Sequence, residues 1–330
     1  MKRKNAAIPL ANTLVLRKEG DAALLQDNSA FLHPTKQQLI PRMDKLRGTG
    51  VALVTPFTAP DHTVDYDALR RLLDFVIEGG VEYLVVNGTT AESPTITSEE
   101  KAEILRVVKQ HVAGRVPLVY GIGGNDTAGT VATIRHTDLS GVTALLSASP
   151  YYNKPSQAGI IAHYELLADA SPVPVILYNV PGRTASNLTA ATTLRLAQHP
   201  NIIGIKEASG NLEQCQQIAA HKPADFLLIS GDDMMTTSLV SFGAVGVISV
   251  LANAFPRPFT DMVRHALAGE FAAASQLLFK FVDLNPLMYE ESNPVGVKAA
   301  LEALGVCSGA VRLPLLAASE ELKGKIGKLV

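Results

Sequence analysis

Two cysteines, Cys215 and Cys307, are all that this chain of 330 residues contains, and they lack CxxC spacing. That excludes a disulfide framework and reads as free thiols in a reducing compartment, so a cytoplasmic location is expected. Charge of one sign is also missing. Lys and Arg number 29 against 31 Asp and Glu, a formal net charge of −2, so nothing favours a phosphate backbone as a partner and nucleic-acid binding is not expected. No apolar run approaches the roughly 18 to 20 residues of a membrane span, and no membrane association is expected. The eight histidines form neither HxH nor HExxH, which argues against a bound transition metal. What is present is a hydrophobic fraction of 47% with 18% charged residues, enough for a large folded core.

Residues 1–46 differ from the rest. Met1-Lys2-Arg3-Lys4 is basic, but no apolar segment of signal-peptide length follows, and Glu19, Asp21 and Asp27 argue against a transit peptide. This stretch reads as a disordered extension outside the fold, with Met43 a candidate start of the folded unit.

From Gly50 onward, short apolar runs alternate with longer amphipathic stretches. Val51–Thr55 reads as the first strand. Residues 65–78 then place Leu69, Leu72, Leu73, Val76 and Ile77 on one helical face, and Gly79-Gly80 stops that helix. Glu82–Val86 is the second strand, and Thr97-Ser98-Glu99-Glu100 is a capping box that opens the next helix. Further strands fall at Pro117–Tyr120, Thr143–Leu146, Pro174–Tyr178, Asn201–Ile205, Phe226–Ile229 and Ala244–Ile248. Near-continuous apolar runs suit parallel strands buried on both faces. Eight of them, each with room for a crossover helix, predict a closed α/β architecture, a (β/α)8 TIM barrel over residues 47–256. Residues 257–330 lose the strand signal and read as a small helical region, with helices at 257–268, 270–284 and 293–304.

Barrel active sites lie at the C-terminal ends of the strands, and several reactive residues fall there. Lys206 closes the run Ile202-Ile203-Gly204-Ile205, Tyr178 ends strand 5, Thr89 and Thr90 follow strand 2, and Tyr151-Tyr152 follow strand 4. A lysine at a strand end ordinarily reaches water. In a closed mouth desolvation favours its neutral amine, the form that attacks a carbonyl, and the company of Tyr178 and Thr89-Thr90 favours that second reading. The turn Gly88-Thr89-Thr90-Ala91-Glu92-Ser93 could hold a small carboxylate, although an ordinary turn with capping hydroxyls has the same composition. Arg183 could clamp a second carboxylate or make a surface ion pair. Two-residue alternation puts Gly204 on the face of Lys206, where it would leave space beside the amine. Gly121-Ile122-Gly123-Gly124 reads as a strand-3 turn and not a nucleotide cradle, because Asp126 stands where G-x-G-x-x-G needs its last glycine. Asp232-Asp233 reads as a helix-capping pair.

Gly88-Thr89-Thr90-x-Glu92-Ser93, Tyr151-Tyr152-Asn153, Tyr178-Asn179-Val180-Pro181-x-Arg183-Thr184, Gly204-Ile205-Lys206-Glu207-Ala208 and Ser230-Gly231-Asp232-Asp233, in this order and spacing, resemble the dihydrodipicolinate synthase (4-hydroxy-tetrahydrodipicolinate synthase) family of pyruvate-dependent class I aldolases. The resemblance covers about residues 48–320. It implies a lyase of lysine and diaminopimelate biosynthesis, acting on pyruvate and aspartate semialdehyde without an organic cofactor, as a homotetramer built from dimers. Lys206 would form the Schiff base. Tyr178, Thr89 and Tyr152 would relay protons, with Tyr152 reaching in from a neighbouring subunit. Thr90 and Ile248 would bind pyruvate, with Gly231 also among the substrate-binding positions, and Arg183 would hold the semialdehyde carboxylate. The alternative is a sister aldolase that cleaves a sugar acid, of the N-acetylneuraminate lyase kind, and the setting of Arg183 resembles the synthase branch instead. Ala91 replaces a common family glycine, a change tolerable if the backbone there is not left-handed. Ser93, Asn125 and Tyr151 match the family's lysine-feedback site, but Lys101 and Gly129 stand where feedback-sensitive bacterial members carry histidine and glutamate. A weak response to lysine is therefore expected.

Overall fold

The computed structural model describes residues 36–330. The reading of residues 1–35 as a disordered extension lies outside the described residues. Eight strands, β1 (Gly48–Ala52), β2 (Tyr83–Val86), β3 (Leu118–Gly121), β4 (Ala144–Ala148), β5 (Val175–Asn179), β6 (Ile202–Glu207), β7 (Leu227–Ser230) and β8 (Gly246–Ser249), pair in parallel with their sequence neighbours. β8 pairs with β1, from Gly48 opposite Gly246 to Val51 opposite Ser249, and closes the barrel.

Alternation sorts the strand residues into two cores. Ala52, Tyr83, Val85, Val119, Ala144, Leu146, Ile176, Tyr178, Ile203, Leu227, Ile229 and Ile248 fill the barrel interior. Val51, Leu84, Leu145, Val175, Leu177, Ile205, Leu228 and Val247 face the surrounding helices. Tyr83 fits across the interior because Gly50 has no side chain: a Cβ there would stand 2.2 Å from the tyrosine ring. The same small-residue region moves the first strand earlier than the sequence suggests. Gly48–Ala52 carries the ladder, Leu53 adds a last bond to the Val85 carbonyl, and Val54 and Thr55 lie beyond it.

The helices follow their periodicity. α1 spans Lys36–Asp44 and α2 Tyr66–Glu78, where Leu69, Leu72, Leu73 and Val76 are buried against the sheet. Each such side chain contributes roughly 1.5–3 kcal/mol. Asp65 caps α2 by accepting from the Ala68 N–H, and Gly80, at φ +92°, turns the chain away. The capping box stands as read: Thr97 accepts from the Glu100 N–H and Glu100 from the Thr97 N–H at the start of α3 (Ser98–Val112). α4 (Thr127–His136), α5 (Gln157–Ala170), the single turn α6 (Pro181–Thr184), α7 (Ala190–Leu196), α8 (Leu212–His221) and α9 (Thr236–Ser241) continue around the barrel.

Two boundaries differ from the sequence reading. Residues 36–46 are not outside the fold. Leu39, Met43 and Leu46 are buried and belong to the barrel-interior cluster, so α1 and the turn after it plug the N-terminal end of the strands. The barrel also does not stop at residue 256. α10 (Pro256–Leu267) packs against β1, β8 and α2, and is the eighth helix of the barrel's outer ring. The remaining region holds α11 (Phe271–Leu278), α12 (Val295–Ala303) and α13 (Glu320–Ile326). α12 packs against the short turn Leu251–Asn253 that follows β8, which brings this region to the C-terminal end of the barrel.

The seam between β8 and β1 is stapled by Asn253, which is fully buried. Its Oδ1 accepts from the Val54 N–H at 3.1 Å, and its Nδ2 donates to the carbonyls of Ala52 at 2.8 Å and Val250 at 3.0 Å. Asn253→Ala leaves the Val54 N–H and the Ala52 carbonyl sealed without partners, and urea unfolding is expected to show a loss of about 3 kcal/mol.

Candidate functional site at the mouth of the barrel

β5 and β6 run in register from Ile176 opposite Gly204 to Asn179 opposite Glu207, so Tyr178 pairs directly with Lys206. Ile203 is an extra residue at a register shift, since Val175 faces Ile202 and Ile176 already faces Gly204. The bulge resets the alternation and aims Lys206 into the mouth. Lys206 is 5% exposed and Tyr178 7%. The Lys206 Nζ lies 4.4 Å from the centre of the Tyr178 ring, whose face shields one side of the amine from water. The lysine does not reach bulk solvent.

The next residue on each strand points outward and holds this pair in place. Asn179 Nδ2 donates to both oxygens of Glu207, at 3.2 and 3.0 Å, and Asn179 Oδ1 accepts from the Leu188 N–H. Glu207 also accepts from the Ser209 N–H and from Gln214 Nε2 of α8. Both residues are buried, so this network is costly to break. On the other side, Gly231 follows β7. A Cβ there would lie 3.1 Å from Lys206 Cε and 2.6 Å from the Ala208 Cβ, so only glycine leaves the lysine chain its path. Gly204 does something other than expected: a Cβ at this position would strike Leu227 of β7 at 2.7 Å. Its missing side chain lets two strands approach and does not open space beside the amine.

The substrate-turn candidate folds as two successive 3-10 turns, Thr89–Ala91 and Ser93–Thr95, joined by Glu92 in the left-handed region at φ 58°. The N–H groups of Ala91 and Glu92 are spent inside the turn, on the carbonyls of Gly88 and Thr89. Ala91 itself is helical, so its methyl is tolerated. Thr90 is buried, and its hydroxyl receives a hydrogen bond from Asn293 Nδ2 at 3.1 Å. Glu92, 4% exposed, meets Lys298, 0% exposed, at 2.6 Å. The ammonium also donates to the Ala310 carbonyl and sits 4.1 Å over the Phe57 ring. Desolvation pulls the Lys298 pKa down, opposed by the charge of Glu92. The second Glu92 oxygen accepts from the Arg312 N–H.

Ile248 lies in the interior layer, opposite Gly50. Arg183 stands exposed on α6 and makes no ion pair among the described residues. Tyr152 has φ 69° and is 88% exposed. The structure thus brings Lys206 and Tyr178 together and seats Thr90 in a buried network, while Tyr152 stands open on the surface of the single chain. Asp232 and Asp233 divide the role assigned to them jointly. Asp232 accepts from the Met234 and Met235 N–H groups, as a capping residue would. Asp233 is buried and reaches across to the end of β8, accepting from the N–H groups of Val250 and Leu251. Desolvation pushes its pKa up to about 6.

Outside the mouth, a groove of about 870 Å³ between α3 and α4 is lined by Ser93, Lys101, Asn125 and Gly129 among others. Lys101 is half-buried there, with its amine held below its usual pKa by desolvation and with no ion pair among the described residues. Asn293, Lys298 and Asn253 were not singled out from the sequence. Lys298 did leave a trace, as the lone charge in the otherwise apolar run Val295–Leu301.

Fold and mouth together define a class: an enzyme-type (β/α)8 barrel with a buried lysine and an adjoining tyrosine at the C-terminal strand ends. The model of the dihydrodipicolinate synthetase family matches residues 45–330, and the chain belongs to that family. It is 55% identical over 284 residues to a 4-hydroxy-tetrahydrodipicolinate synthase of Cytophaga hutchinsonii, covering 86% of this chain and 95% of the relative. Among solved structures it is similar to the chloride-inhibited dihydrodipicolinate synthase of Acinetobacter baumannii complexed with pyruvate, at 35% identity and TM-score 0.83, over 86% of this chain and 97% of the other. A dihydrodipicolinate synthase of Cyanidioschyzon merolae with lysine bound is similar at 38% identity and TM-score 0.83, with the same coverage.

The Lys298–Glu92 pair sets a test of stability. Lys298→Met strands the Glu92 carboxylate in the interior and is expected to cost about 3–5 kcal/mol in urea unfolding. Combining it with Glu92→Gln is expected to recover most of that loss.

Proposed function

We infer that the chain carries 4-hydroxy-tetrahydrodipicolinate synthase activity: a lyase that condenses pyruvate with L-aspartate 4-semialdehyde through a lysine Schiff base, in lysine and diaminopimelate biosynthesis. The observation that carries the reading is the buried Lys206 amine set 4.4 Å over the Tyr178 ring at the mouth of the barrel. The curated relatives bear the name of this activity.

Lys206 attacks the C2 carbonyl of pyruvate and, with loss of water, forms an imine. The imine withdraws electrons from the methyl carbon, which loses a proton to give the enamine. The enamine carbon attacks the aldehyde carbon of the semialdehyde, and the resulting alkoxide takes a proton. The amino group of that substrate then attacks C2, closes the ring and releases Lys206. Tyr178 ferries the protons, and Thr89 and Tyr152 pass them toward water. Thr90 holds the pyruvate carboxylate, Ile248 and Gly231 bound the pyruvate, and Arg183, exposed and without an ion partner among the described residues, receives the semialdehyde carboxylate. Tyr152, exposed in one chain, serves the site of a second copy within a homotetramer. A cytoplasmic location agrees with the free thiols of Cys215 and Cys307.

Borohydride reduction in the presence of pyruvate is expected to leave one adduct, which peptide mass mapping locates on Lys206. Lys206→Ala is expected to lose that adduct and to lower kcat by on the order of a thousandfold or more. Full turnover by this variant would remove the reading. Lysine titration of the purified enzyme is expected to show weak or no inhibition at sub-millimolar effector, because Lys101 places a cation where a cationic ligand would have to sit.

A further inference from the structure

We propose that Asn293, from the segment beyond the barrel, is a positioning residue that orients the Thr90 hydroxyl toward the substrate carboxylate. The proposal rests on the reading above that Thr90 holds that carboxylate. A threonine hydroxyl has one proton to give and two lone pairs that accept. Asn293 Nδ2 donates into one of those lone pairs at 3.1 Å, with both residues buried, Thr90 at 3% and Asn293 at 7% exposure. The hydroxyl proton is then left to donate elsewhere. Without the amide, the Thr90 hydroxyl is free to rotate and to donate to nearby backbone instead.

Two further observations make this more than packing. Thr90 is the only hydrogen-bond partner of the Asn293 side chain among the described residues, and Oδ1 of the same amide is sealed without one. The segment that carries it is also fastened to the turn at a second point. Lys298, whose N–H bonds back to the Pro294 carbonyl, places its ammonium on Glu92, two residues beyond Thr90. The backbone of Arg312 closes on the same carboxylate. The region beyond the barrel therefore grips the turn at Thr90 and at Glu92, and of the two contacts the one at Thr90 reaches a group that faces substrate.

The test is a double-mutant cycle read by steady-state kinetics, with Asn293→Ala, Thr90→Val and the pair. Asn293→Ala is expected to raise KM for pyruvate about five- to tenfold, the worth of one hydrogen bond, with kcat within about twofold and KM for the semialdehyde unchanged. In the Thr90→Val background the same substitution is expected to change KM for pyruvate by less than about twofold, since there is no hydroxyl left to orient. An unchanged KM in Asn293→Ala, or an equal increase in both backgrounds, overturns the proposal. Thr90→Val with an unchanged KM overturns instead the reading that Thr90 holds the carboxylate. If Asn293→Ala does not fold, Asn293→Asp keeps the shape but accepts the hydroxyl proton in place of donating. It is expected to raise KM at least as much, with the increase lost in the Thr90→Val background. An increase that persists there is plain charge repulsion and overturns the proposal too.

Discussion

The pairing of β5 with β6 is the constraint on which the rest of the site depends. Tyr178 and Lys206 lie opposite each other because the register shift at Ile203 brings the two strand ends into step. The outward-facing Asn179 and Glu207 then lock those ends with two hydrogen bonds in a buried setting. A slip of one residue would turn the amine to the outside of the barrel, among the apolar side chains that face the helices. The chemistry is thus protected by hydrogen bonds on the side of the sheet away from it.

The region beyond the barrel has a comparable part on the opposite side of the mouth. Glu92 is buried in a left-handed backbone conformation, and its carboxylate is met by Lys298 and the Arg312 N–H. Arg312 also forks onto Glu100 of the capping box and donates to the Thr95 carbonyl. Polar groups so deeply placed are tolerated only when satisfied, and their satisfaction fixes the path of the turn that presents Thr89 and Thr90. The barrel supplies one wall of the site from consecutive strands, and the added helices hold the other.

Much of this was legible in the chain. The eight apolar runs, the helix faces, the capping box and the residues at the strand ends follow from periodicity and side-chain chemistry, which act within a few residues. The features that local pattern does not reveal share one cause. Gly204 looked like space for the amine, yet its neighbour is Leu227 on the next strand. The segment 36–46 looked detached, yet Leu39, Met43 and Leu46 complete a core built by strands much further along. Asn293 and Lys298 gave little local sign of their partners, which lie more than two hundred residues earlier.

By itself the sequence determined the kinds of element, their order, and that one lysine and one tyrosine end adjacent strands, because alternation and helical periodicity are local properties. Only the tertiary structure decided that the amine is shielded by the phenol ring, that the turn bearing the two threonines is gripped from beyond the barrel, and that Tyr152 stands open in a single chain. Those are statements about distance between remote residues, and closure of the barrel is what brings such residues together.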